Sequence, residues 1–290
     1  MIRVILQGGL GNQMFEYAAG LAMAIKTHSR LVLDTSVFDV YGNRAWCRPY
    51  ELGVFRLNDG VIIESERHFA VRLLPRMSSY CRKHGKPRLD RLIFDATTLG
   101  GLTACRKYEL FGYFANCHFC EAYREELLRA FSFRMLPNEA NQRYLNDIST
   151  HESVSVHIRR GDYLNSANAG IFWHPTVEWY RQAMAKIDAQ VTNATYYFFS
   201  DDIAWVREQF GDMKNAVFVD INHGREAYND MRLMASCKHN IIANSTFSWW
   251  GAWLNTNPQK IVFAPARYYT DEHANNRYRA DMILPGWITM

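Results

Sequence analysis

Apolar positions along this chain fall into two rhythms. At the N-terminus, Ile2-Arg3-Val4-Ile5-Leu6-Gln7 is a mostly apolar run stopped by Gly8-Gly9, the pattern of a short buried strand over residues 2–7 ended by a turn. Gly8, Gly9 and Gly11 tighten that turn. Residues 14–26 follow, rich in Ala and Met, with no Pro and no β-branched run, which predicts a helix. Leu31-Val32-Leu33-Asp34 reads as the next strand. A strand, glycine loop, helix and strand in this order open a doubly wound α/β sheet.

From residue 151 the rhythm is regular. Strands are predicted at 153–158, 195–200, 216–219, 240–244 and 260–264, with helices at 177–187, 204–210, 227–237 and 247–254. Such alternation implies βαβ units and a parallel sheet. Between about 40 and 150 the pattern yields long connections and helical stretches, 121–131 the clearest, in no legible order.

Composition changes this picture little. The chain has 290 residues, 48% apolar and 21% charged, an ordinary globular mixture large enough for two domains. A net charge of +4 is too mild for a nucleic-acid partner. One stretch departs from the mean: Arg72, Arg76, Arg82, Lys83, Lys86, Arg88 and Arg91 stand against the single acid Asp90. It reads as a solvated face or as a patch docking peripherally on an anionic membrane or an acidic glycolipid. No signal-like run and no membrane-spanning run occurs, which predicts a soluble, cytoplasmic protein. Six cysteines without a disulfide spacing fit that compartment. Cys117-His118-Phe119-Cys120 is half a zinc pattern with no second pair, so no metal is expected.

In an open parallel sheet, ligands bind beyond the carboxyl ends of the strands. The strand at 153–158 delivers His157-Ile158-Arg159-Arg160-Gly161-Asp162-Tyr163 there. Two arginine forks match the oxygens of a diphosphate, and His157 adds a donor; the competing reading pairs both arginines with acids across a domain interface. The next strand delivers Ser200-Asp201-Asp202. Asp201 and Asp202 suit a ribose diol or the in-line donors of guanine. Alternatively Ser200 or Asp201 caps the following helix, or the two carboxylates hold a divalent metal. The strand at 240–244 delivers Asn244-Ser245-Thr246-Phe247-Ser248, where hydroxyls and a helix N-terminus favour phosphate. Trp249, Trp250 and Trp253 read as core.

Four blocks together resemble glycosyltransferase family 11, the α-1,2-fucosyltransferases, in bacterial form. They are Gly8-Gly9-Leu10-Gly11-Asn12-Gln13-Met14-Phe15, Val156 through Tyr163, Tyr228 through His239, and Ile242 through Trp253. The resemblance implies a GT-B-type fold, with two Rossmann-like domains facing across a cleft. On that pattern residues 1–150 form the acceptor-side domain and 151–270 the GDP-fucose-binding domain, with 271–290 a tail returning toward the first. It implies inverting transfer of fucose from GDP-fucose to the 2-hydroxyl of a β-galactoside, with no required metal. Arg159 and Arg160 then hold the diphosphate. His157, Asp201, Asp202, Asn244, Ser245, Thr246, Phe247 and Ser248 surround GDP, and Gly9 and Asn12 join the donor-binding set. For the base that deprotonates the acceptor, Asp162 is the first candidate, with His174 and Glu16 behind it.

Overall fold

The computed structural model describes residues 1–42, 44, 47–86, 88–94, 106–161 and 170–290. They form two compact units, Met1–Met135 and Leu136–Met290. The division thus falls at residue 135 rather than near 150.

In the first unit, strands β1 (Ile2–Ile5), β2 (Leu31–Asp34), β3 (Ile62–Glu64), β4 (Arg88–Leu89), β5 (Leu92–Ile93) and β6 (Tyr108–Leu110) form one sheet. Its order is β3-β2-β1-β6-β5-β4, parallel except where β4 meets β5. Helix α1 (Leu10–Lys26) starts earlier than predicted, because Gly9 serves as its N-cap. Helices α2 (Ser36–Tyr41) and α3 (His68–Lys83) follow. The helix predicted at 121–131 is two helices, α4 (Cys117–Ala122) and α5 (Arg124–Ala130), broken at Tyr123 with φ −129° and ψ 38°. Cys117 and Cys120 are buried in α4 and are not joined in a disulfide. Among the described residues no group of three or more His, Cys, Asp or Glu is placed to hold a metal.

The second unit opens with α6 (Glu139–Thr150) and continues through β7 (Glu152–Ile158), α7 (Val177–Asp188), β8 (Ala194–Ser200), α8 (Ile203–Phe210) and β9 (Ala216–Phe218). Then come α9 (Tyr228–Ser236), β10 (His239–Ile241), α10 (Thr246–Leu254), β11 (Val262–Ala264), α11 (Glu272–Met282) and β12 (Ile288–Thr289). The strand predicted at 240–244 ends at Ile241, so Asn244 lies in the loop beyond it. Residues 271–290 stay with this unit: β12 pairs with β11, and Trp249 Nε1 donates to Met282 O at 2.7 Å.

The second sheet runs β12-β11-β10-β7-β8-β9, every pair parallel. The chain steps outward from β7 to β9, returns to β10 beside β7, and steps outward the other way. This is the dinucleotide-fold order, which opens a crevice between β7 and β10 at their carboxyl ends. Val154, Val156, Tyr196 and Phe198 pack with Trp179, Tyr180, Ile187 and Phe210 in a core beneath it. Trp249, Trp250 and Trp253 are fully buried as core, Trp249 stacking on Trp253 while Trp250 meets both rings edge-on.

Candidate active site

β7 and β8 pair in register, Ile158 opposite Ser200, so the residues just beyond each strand meet. Asp201 accepts from the backbone N–H groups of Arg160, at 3.0 Å, and Gly161, at 2.9 Å, and pairs with Arg159 Nη1 at 3.0 Å. A Cβ at Gly161 would sit 2.5 Å from Asp201 Oδ2, so only glycine admits this approach. Asp202 pairs with Arg160 Nε at 3.0 Å and accepts from Trp205 N at 3.2 Å. Asp202 is therefore the cap of α8, in place of Ser200 or Asp201. The Arg160 guanidinium lies 3.8 Å from the centre of the Trp205 ring. Both arginines are thus paired with acids inside one unit, and those pairs fix their orientation.

His157 is buried, its ring centre 5.9 Å from that of Phe247. Burial, then the Arg159 charge, pushes its pKa down to about 4, against a smaller opposing effect of Asp201. It is therefore a neutral imidazole at neutral pH, and its Nδ1 has no hydrogen-bond partner.

Beyond β10, Ser245 caps α10 by accepting from Phe247 N at 3.3 Å, and the first turn of α10 carries no acid. Such an N-terminus offers N–H donors to an anion. Thr246 and Phe247 are half-buried there. Ser248 is fully buried and its hydroxyl donates to Ala243 and Ser245 carbonyls, so it braces the turn. Asn244 is also buried; its Nδ2 donates to Trp173 O and to Tyr268 O. That bond ties the end of β10 to the segment carrying His174, whose imidazole pKa is lowered by burial. Asp162 lies outside the described residues.

Gly9, Asn12 and Glu16 belong to the first unit. Gly9 O accepts from Asn12 N at 2.9 Å, and Gln13 braces the loop by donating to Gly8 O and Pro49 O, both at 2.8 Å. Glu16 is fully buried, accepts from Gln7 N at 2.9 Å, and is pushed by burial well above the usual carboxylate range.

A polar cluster that the sequence reading missed lies on the same edge of the second sheet. In βαβ units helices run antiparallel to strands, so the first turns of α6 and α9 reach the carboxyl edge. There Asn141 and Asn222 exchange hydrogen bonds at 2.8 and 2.9 Å, and Asn222 donates to Asp230 Oδ1 at 2.8 Å. Burial foremost, with Asp220 adding to it, pushes Asp230 up to about 7 against the Asn222 bond. Its only sequence signal was membership of the block from Tyr228 to His239.

The sequence model of Glycosyl transferase family 11 matches residues 100–290. O-antigen biosynthesis glycosyltransferase WbnK of Escherichia coli is 31% identical, across 98% of this chain and 99% of its own. This chain belongs to glycosyltransferase family 11. An Escherichia coli protein described as an alpha-1,2-colitosyltransferase is also 31% identical, across 93% of each chain. Among solved structures, NodZ alpha-1,6-fucosyltransferase soaked with GDP-fucose shares the fold with a TM-score of 0.56 at 14% identity, covering 90% of this chain and 94% of its own. The family 11 chain is thus a glycosyltransferase of the GT-B type, built from two Rossmann-like α/β units. Among its described residues no helix is long and apolar enough to cross a membrane.

Proposed function

We propose that this enzyme transfers L-fucose from GDP-fucose to the 2-hydroxyl of a terminal β-galactoside, inverting the anomeric carbon, in the building of a surface glycan such as an O-antigen. The observation that carries this reading is the pair of carboxylate-braced arginines, Arg159 and Arg160, at the carboxyl end of β7, where the strand order reverses. The four sequence blocks, the alpha-1,2 linkage named for one relative, and the GDP-fucose soaked into NodZ support it.

In this reading the bond between the fucosyl anomeric carbon and the β-phosphate oxygen breaks, and its electron pair leaves with GDP. Positive charge spreads over the sugar ring while negative charge grows on the diphosphate. A guanidinium carries five N–H donors; Asp201 fixes the plane of Arg159 before the donor arrives, so little reorganisation is left to the transition state. Arg160, stacked on Trp205, and the N-terminus of α10 add to the same field. These groups balance the diphosphate, and the reading requires no metal ion. The acceptor oxygen attacks from the opposite face and gives its proton to a carboxylate; Asp162 is the candidate.

The test is GDP release with GDP-fucose and a panel of β-galactosides, followed by NMR assignment of the linkage. An α-1,2 product is expected. Arg159→Ala is expected to lower kcat/KM by roughly a hundredfold or more with its unfolding temperature little changed; near-normal turnover by the folded variant would overturn the diphosphate assignment. The colitosyltransferase relative favours a second reading, in which linkage is kept and the donor sugar is colitose. Preference for GDP-colitose over GDP-fucose in the same assay selects it.

A further inference from the structure

Helix α3 buries one side and leaves the other bare. Val71, Leu74 and Cys81 pack against Ile5, Val37, Phe94 and Phe111, which anchors the helix to the first unit. On the opposite side Phe69 is 79% exposed, Tyr80 52% and Leu73 44%. Arg72, Arg76 and Lys83 are exposed too. At 100° per residue, these six side chains fall within one third of the helix circumference. An aromatic side chain that remains four-fifths in water is costly, and here it is framed by cations.

We propose that this face of α3 docks the enzyme on an anionic lipid bilayer. Phe69, Leu73 and Tyr80 enter the headgroup–acyl boundary, and Arg72, Arg76 and Lys83 pair with lipid phosphates. A helix lying in the interface plane needs such an apolar line with cations beside it. The surrounding charge agrees: Lys86, Arg88 and Arg91 extend the basic surface, and from residue 72 to 91 the one acid is Asp90. A nucleic-acid surface fits less well, because its cations line a polar groove and the chain's +4 net charge is modest. This inference goes beyond the transfer reaction and does not depend on it.

The test is co-sedimentation of the full chain with vesicles of phosphatidylcholine alone or mixed with phosphatidylglycerol. The expected result is binding to the anionic vesicles only, weakened by added salt. Two exposed-face variants, Phe69→Ser/Leu73→Ser and Arg72→Glu/Arg76→Glu, are expected to lose binding at least tenfold. Their circular dichroism and their turnover of a water-soluble acceptor should match the parent. The proposal is overturned if the parent does not bind anionic vesicles or binds neutral ones equally. It is also overturned if either variant binds like the parent, or if light scattering shows this face closed by a second copy. Loss of vesicle binding with intact turnover separates this proposal from the transfer reading.

Discussion

Asp230 and His157 sit at one edge of one sheet, and burial favours the uncharged form of both. For Asp230 the folded pKa, about 7, lies above the ordinary carboxylate value. Its contribution to stability is therefore full below that ordinary value and is lost as pH rises through about 7. Asp230→Asn keeps an acceptor for Asn222 and removes the titration. It is expected to raise stability at about pH 8, on the order of 2 kcal/mol, and to change little in acid; parallel thermal melts read the difference. An equal effect at both pH values would refute the assignment. His157 has the opposite sign: its folded pKa is depressed to about 4 from 6.5, so its contribution is present above 6.5 and lost as pH falls toward 4. At this scale the sequence displayed the arginines but hid their partners. Asp201 and Asp202 are about forty positions away from them, and Asn141 is 81 positions from Asn222. Sheet register brings the first set together, and the packing of α6 beside the loop after β9 brings the second.

The elements most legible in the sequence were β7 to α10, because strand and helix candidates alternate there at regular spacing. The stretch before residue 150 was opaque for physical reasons. Strands β4 and β5 have two residues each, too few to show a period. Pro75 sits inside α3 and argues against the helix that forms. Where β7 hands over to the loop, Gly161 decides whether Asp201 can brace the turn. Gly161→Ala would place a methyl 2.5 Å from Asp201 Oδ2, displacing the carboxylate from Arg159 and from two backbone N–H groups. The expected outcome is GDP binding weakened roughly tenfold, equivalent to one lost charge-assisted hydrogen bond, with little change in melting temperature. Calorimetric titration with GDP checks it; an unchanged affinity would mean that Asp201 does not organise the site.

Across the whole molecule, the candidate donor site draws on loops from β7, β8 and β10 of one unit. GDP is therefore expected to stabilise the intact chain by mass action, about 2.7 kcal/mol at a hundred times Kd. Hydrogen exchange should slow around residues 157–161, 200–202 and 245–248. Protection confined to residues 1–135 would place the nucleotide elsewhere. The sheet order carries one more consequence, concerning synthesis rather than catalysis. β7 lies between β8 and β10, and its residues from Ser153 onward are all buried. β8 leaves the ribosome soon after β7 and covers one side. The other side waits for residues 239–241, several seconds later at about 5–20 residues per second. Throughout that interval the nascent chain carries a bare, water-averse strand edge, the kind that recruits stray chains. A transcript cut short before β10 should yield insoluble protein, whereas the complete one closes the edge itself.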